Sequence, residues 1–240
     1  MTVVRPALFM AMLLWATPAR AADLDHTAWD RLLKAHVSAG RVNYAALAAG
    51  GRAELSAYLQ AVARADPARM GRAAELAFYL NAYNALVVGQ VVARWPKVVS
   101  VKELPGFFDR HTHVVGGRTL TLNELENAVL RPRFRDPRIH FALVCAARSC
   151  PPLASEAFRG ATVERALERL TRAFLRSPAG VVLTPTEVRL SRLFDWYASD
   201  FGGAGKVLAF VARYHPAGSA LLVPRRRVTF LAYDWALNGR

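Results

Sequence analysis

The 240-residue chain carries a formal net charge of +14, from 32 Lys and Arg against 18 Asp and Glu, and 53% of its residues are hydrophobic. Twenty-eight of the basic residues are Arg, scattered over many elements, and the denser runs RPRFRDPR (131–138) and RRR (225–227) lack a nucleic-acid-binding motif. Nucleic acid is therefore excluded as the expected partner, and a loose attraction to anionic envelope surfaces is the most the charge implies.

The chain opens MTVVRPALFMAMLLWATPARAADLD. Arg5 supplies a positive start, Ala7 to Ala16 is apolar but too short to span a bilayer, and Ala19-Arg20-Ala21 fits a small-x-small cleavage site. Residues 1–21 thus read as a signal peptide, and the protein is expected to be exported, to the periplasm. No cysteine follows the apolar stretch, so no lipid attachment point is seen. No later segment reads as long and apolar enough to cross a membrane. Residues 22–240 are expected to form one domain around one core.

A helix is predicted over 25–37, then a short extended piece at RVNY (41–44), and a helix over 51–63 that stops near Asp66-Pro67. AELAFYLNAYNALVVGQVVARW (74–95) is apolar nearly all round, as a buried central helix would be. HVVGGRTLTL (113–122) signals a hairpin turning at Gly116-Gly117. Thr121 and Glu124 form a capping box for a helix from Leu122 to Leu130, with Pro132 just beyond it. A strand is predicted over 138–145, a helix over 162–176 and a second hairpin over 180–191. Helices are expected at 193–201 and 206–214, and a late strand at 228–235. The predicted fold class is α+β, an antiparallel sheet packed against helices with a buried central helix.

Polar residues break the apolar pattern in two places. Asn81 and Asn84 share a face of the central helix. Buried amides need hydrogen-bond partners, so they either brace a neighbouring loop or help bind substrate. Glu126 falls among Leu122, Leu125 and Val129 on its helix, where a carboxylate is either paired with an arginine or belongs to a site. The two cysteines of the chain, Cys145 and Cys150, follow in RIHFALVCAARSCPPL (138–153). A strand here would place His140 and Cys145 on opposite faces, so a bulge or turn is required to bring them together. An oxidising compartment permits a disulfide between the cysteines. A loop this small has few routes to a relaxed bridge, so such a bond is expected to reduce easily. Alternatively Cys150 only packs as a small apolar residue. Asp109, His111 and His113 offer metal-ligand chemistry at no diagnostic spacing from the cysteines, and C-x4-C is not a thioredoxin spacing. No metal and no organic cofactor is expected.

AFYLNAYNALVV, LTLNELENAVLRP, DPRIHFALVCAARSCPPL, LSRLFDWYASDF and AYDWALN follow one another as in the domain of unknown function 547 family, which this chain resembles from about Asp25 to Asn238. That family is grouped with papain-like and transglutaminase-like cysteine hydrolases. The resemblance implies Cys145 as nucleophile, with Glu126 and the Asn81/Asn84 face at the site. Many family members carry Glu-His where this chain has Glu126-Asn127: if that histidine is the family's base, this chain lacks it and is inactive, and if the base is the histidine of HFAL, His140 supplies it. The expected function is a thiol-dependent hydrolase of a peptide or γ-glutamyl amide, or of a small thiol-containing peptide. Here Cys145 attacks, His140 accepts the proton, Glu126 orients the imidazole, and Asn81 or Asn84 holds the oxyanion. The alternative is an inactive envelope binding or scaffold module on the same fold.

Overall fold

A computed structural model describes residues 23–222 and 226–240. The predicted signal peptide lies outside the described residues. The first helix, α1 (Thr27–His36), buries Trp29, Leu32 and Leu33. The short strands β1 (Val37–Ser38) and β2 (Arg41–Val42) pair antiparallel, and α2 (Arg52–Arg64) buries Leu55, Tyr58 and Val62 on one face. The central helix α3 (Arg72–Arg94) is buried at every position from Ala74 to Val88. By length and composition α3 is apolar enough to cross a bilayer, which corrects the expectation that no later segment would be. Its burial among other elements is that of a core helix.

The Gly116-Gly117 hairpin forms as expected. Strands β3 (Thr112–Val115) and β4 (Arg118–Thr121) pair antiparallel, and both turn glycines take positive φ. The capping box also forms: Thr121 Oγ1 accepts from Glu124 N, and Glu124 Oε2 accepts from Thr121 N. The helix it starts is irregular. One α-turn (Leu122–Glu124) widens into a π-helical stretch (Leu125–Leu130) and tightens again over Arg131–Phe134. Pro132 sits inside this helix, not beyond it, at the start of the last segment.

The predicted strand over 138–145 is corrected. Asp136 Oδ1 accepts from Arg138 N, Pro137 fixes the first turn, and Pro137–Phe141 is a 3-10 helix. An Asp-Pro pair starts a turn more strongly than the following apolar run starts a strand. Beyond it, α4 (Val163–Arg176) buries Val163, Leu167, Leu170, Phe174 and Leu175. Strands β5 (Val181–Leu183) and β6 (Glu187–Leu190) form the second hairpin. The last strand, β7 (Arg227–Phe230), lies parallel to β6 and ends five residues earlier than expected. The helix α5 (Val207–Tyr214) completes this half. The result is α+β, with helices dominant and, among the described residues, the sheet divided into three small pieces.

Among the described residues two apolar clusters make the interior. The larger surrounds α3, and the smaller gathers Phe141, Phe174, Phe194, Phe201 and Val211. The 137–141 turn is their seam, since Ile139 and Ala142 belong to the first cluster and Phe141 to the second. That seam carries His140 and leads to Cys145.

Candidate functional site

Asn84 shapes the approach to Cys145. Its Nδ2 donates to Ala142 O at 2.8 Å, and its Oδ1 accepts from Val144 N at 3.0 Å. The amide thus grips the backbone on both sides of Leu143. Asn81 treats Phe158 alike, donating to its carbonyl at 2.8 Å and accepting from its N–H at 2.9 Å. Both amides brace backbone and neither lines the cavity described below, so the substrate-binding role is not where the structure puts them. After Cys145 the chain turns through Ala146, a non-glycine at φ 59°. The left-handed backbone costs an alanine about 1 kcal/mol and is characteristic of functional turns.

This turn brings Cys150 back to Cys145, and the two form a disulfide. Cys145 N also donates to Cys150 Sγ at 2.9 Å. Cys145 is partly exposed and Cys150 is buried. The hydroxyl of Tyr233 lies 3.1 Å from Cys145 Sγ and 3.2 Å from Cys150 Sγ. Burial pushes the Tyr233 phenol above its ordinary pKa, so at neutral pH it keeps its proton and can donate to sulfur.

His140 and Glu126 face the same cavity, of about 350 Å³, as the two cysteines. The π-turn carries Glu126 to the wall, as irregular helical turns often do at sites. Tyr83 Oη donates to Glu126 Oε2 at 3.3 Å, and His140 Nδ1 stands 3.8 Å from Glu126 Oε1. The closer partner of His140 is a residue the sequence reading did not single out: its Nε2 is 2.8 Å from Asp200 Oδ2. Arg131 grips Asp200 with a two-pronged guanidinium contact, 2.7 Å to each carboxylate oxygen. Arg131 and then His140 hold the Asp200 carboxyl well below the usual carboxylate range. With Asp200 ionised, His140 Nε2 carries a proton, and stacking on Tyr197 at 4.0 Å fixes the ring plane. Asn127 is exposed, accepts from Arg131 Nη1 at 2.6 Å and so joins the outside of this network.

The opposite wall is aromatic. Trp196, Tyr233 and Trp235 form a triad with ring centres 4.6–5.8 Å apart, and Lys102 Nζ lies 5.3 Å from the Trp235 ring centre. The segments LFDWYASDF and AYDWALN hold Asp200, Trp196, Tyr233 and Trp235. The Asp109-His111-His113 set is split: Asp109 lines this cavity, while both histidines line another.

Residues 67–175 match the model of the family described as "Protein of unknown function, DUF547". This segment is a DUF547 domain. It contains Asn81, Asn84, Glu126, His140 and both cysteines, whereas Asp200 and the aromatic triad lie beyond the matched residues. The DUF547 segment therefore supplies the sulfur, histidine and carboxylate side of the cavity, and the C-terminal third closes it. No curated protein and no solved structure matches the chain.

Proposed function

We propose that the cavity is an acyl-transfer site in a resting, oxidised form, acting on a peptide, a γ-glutamyl amide or a small thiol-containing peptide. We also propose that the protein is exported, on the strength of its N-terminal sequence. The observation that supports the reading is the convergence of Cys145, His140 and Glu126 on one cavity with an anchored imidazole. An external thiol reductant opens the bridge: it gives two electrons and two protons to the sulfurs and is itself oxidised to a disulfide. Cys145 Sγ then attacks the amide carbonyl, a thioester forms, the C–N bond breaks and the amine leaves with a proton. Water hydrolyses the thioester.

Within this proposal Tyr233 donates to the Cys145 thiolate and lowers the cost of its charge. The His140 nitrogens stand by Asp200 and Glu126, so the Cys145 proton reaches the His140–Glu126 pair through a cavity water. Asp200 takes the orienting role first assigned to Glu126.

The engagement of His140 Nε2 by Asp200, together with the bridged cysteine, favours a second reading, a binding module that uses the aromatic wall and performs no chemistry. Alkylation separates the two. Without reductant, iodoacetamide should leave the intact mass unchanged. After mild native reduction it should add two groups, Cys145 reacting about 10-fold or more faster than an ordinary exposed thiol at neutral pH. Asp200→Asn should slow that reaction. A Cys145 no faster than an ordinary thiol would sink the hydrolase reading and leave the binding module.

A further inference from the structure

A second cavity, of about 490 Å³, lies between α2, the C-terminal half of α3 and the approach to β3. Its apolar wall includes Leu55, Leu59, Leu86 and Val92. Two polar atoms at this cavity are buried without a partner, Gln90 Oε1 and His113 Nε2, and these are the unpaired buried side-chain atoms among the described residues. Gln90 is only 6% exposed, and its amide nitrogen is fixed by donation to Phe107 O at 3.1 Å. The acceptor oxygen is therefore held in one orientation with nothing to accept from. A buried carbonyl and a buried ring nitrogen left unpaired each cost about 1–3 kcal/mol, which a ligand at the same place would recover.

The charge of the lining narrows the ligand. Arg52, Arg94, His111 and His113 contribute to it and no carboxylate does. Among the described residues neither arginine forms an ion pair. Arg94 reaches Gln90 O at 3.1 Å and His111 Nε2 at 3.2 Å, and Arg52 donates to Ala48 O at 2.8 Å. Burial lowers the His113 pKa, with His111 and Arg94 adding to the effect, so its ring offers one donor and one acceptor nitrogen at neutral pH.

We infer that this cavity is a second ligand site, independent of the cysteine site, for a small amphipathic carboxylate that carries an N–H or O–H donor. The carboxylate meets Arg94 and Arg52, the donor meets Gln90 Oε1, His113 Nε2 takes a second polar atom, and the apolar part lies on the leucines. N-acetyl-L-leucine has all of these features and serves as the probe.

The experiment uses the whole mature protein with its disulfide intact, titrated with N-acetyl-L-leucine by calorimetry and by NMR of the histidine ring protons. Binding with Kd of about 1 mM or tighter is expected, with the His111 and His113 signals shifting. Arg94→Gln should weaken binding about 10-fold, and so should Gln90→Leu. Arg52→Gln, at an exposed position, gives a variant whose folding is not in question and should weaken binding several-fold. Three results would each overturn the inference. One is no heat and no shift at about 10 mM probe. Another is undiminished, wild-type affinity in both Arg94→Gln and Arg52→Gln. The last is a probe response at His140 with none at His113.

Discussion

At the scale of single residues, Asn84 shows what an amide in an apolar helix is for. Its two hydrogen bonds hold Ala142 O and Val144 N, and through them the turn that presents Cys145. Asn84→Ala leaves both backbone groups buried and unpaired, so a loss of about 2–5 kcal/mol is expected by urea unfolding. A residue kept for substrate alone would lose almost nothing in that measurement, which makes stability the deciding readout. The sequence exposed this position because an amide is costly inside an apolar helix, and the same logic found Glu126. It could not say where the partners lie, since they are 58 and 60 residues away. Asp200 escaped attention for the opposite reason. An acidic residue in a polar, aromatic segment breaks no pattern, and only the fold places it against His140 and Arg131.

At the scale of elements, local chemistry was legible wherever one short-range signal ruled. Two glycines at a hairpin turn and a Thr-x-x-Glu cap gave the β3–β4 unit and the start of the helix after it. Two signals competed at 136–145, and the Asp-Pro turn prevailed over the apolar run. The turn between β1 and β2 follows the same logic at closer quarters. Gly40 has φ 75°, and a Cβ built there overlaps Pro152, two residues past Cys150. Gly40→Ala combines left-handed strain with overpacking, so a loss of about 2–4 kcal/mol is expected. Gly50, where an added Cβ meets nothing within 4 Å, is the matched control, and Gly50→Ala should change stability by less than about 1 kcal/mol. Equal costs at the two positions, measured by denaturant unfolding, would refute the close-approach argument.

At the scale of the molecule, the cysteine turn is held by both ends of the chain. The C-terminal segment crosses it: Arg148 N donates to Ala236 O, Ser149 N to Asp234 O, and Asn238 N to Ala146 O. The same segment is tied to the N-terminal region, where Val42 N donates to Asn238 O and Tyr44 Oη donates to Asn238 Oδ1 at 2.8 Å. Contacts spanning nearly 200 residues leave no trace in a local pattern, which is why AYDWALN was tied to the site only through a family resemblance. This strap carries Tyr233 and Trp235 into the cavity, where the Tyr233 hydroxyl meets both sulfurs. Asn238→Ala removes the side-chain anchor and leaves the buried Tyr44 hydroxyl unpaired, a loss of about 1–3 kcal/mol. If the strap shields the cysteine turn, local opening also becomes more frequent, and native-state reduction of the Cys145–Cys150 bond by a small dithiol should accelerate in step with the lost stability. Timed reduction followed by alkylation and intact-mass measurement reads this directly. Lower stability with an unchanged reduction rate would mean that reductant enters through the open cavity, and that the strap only holds the two ends together.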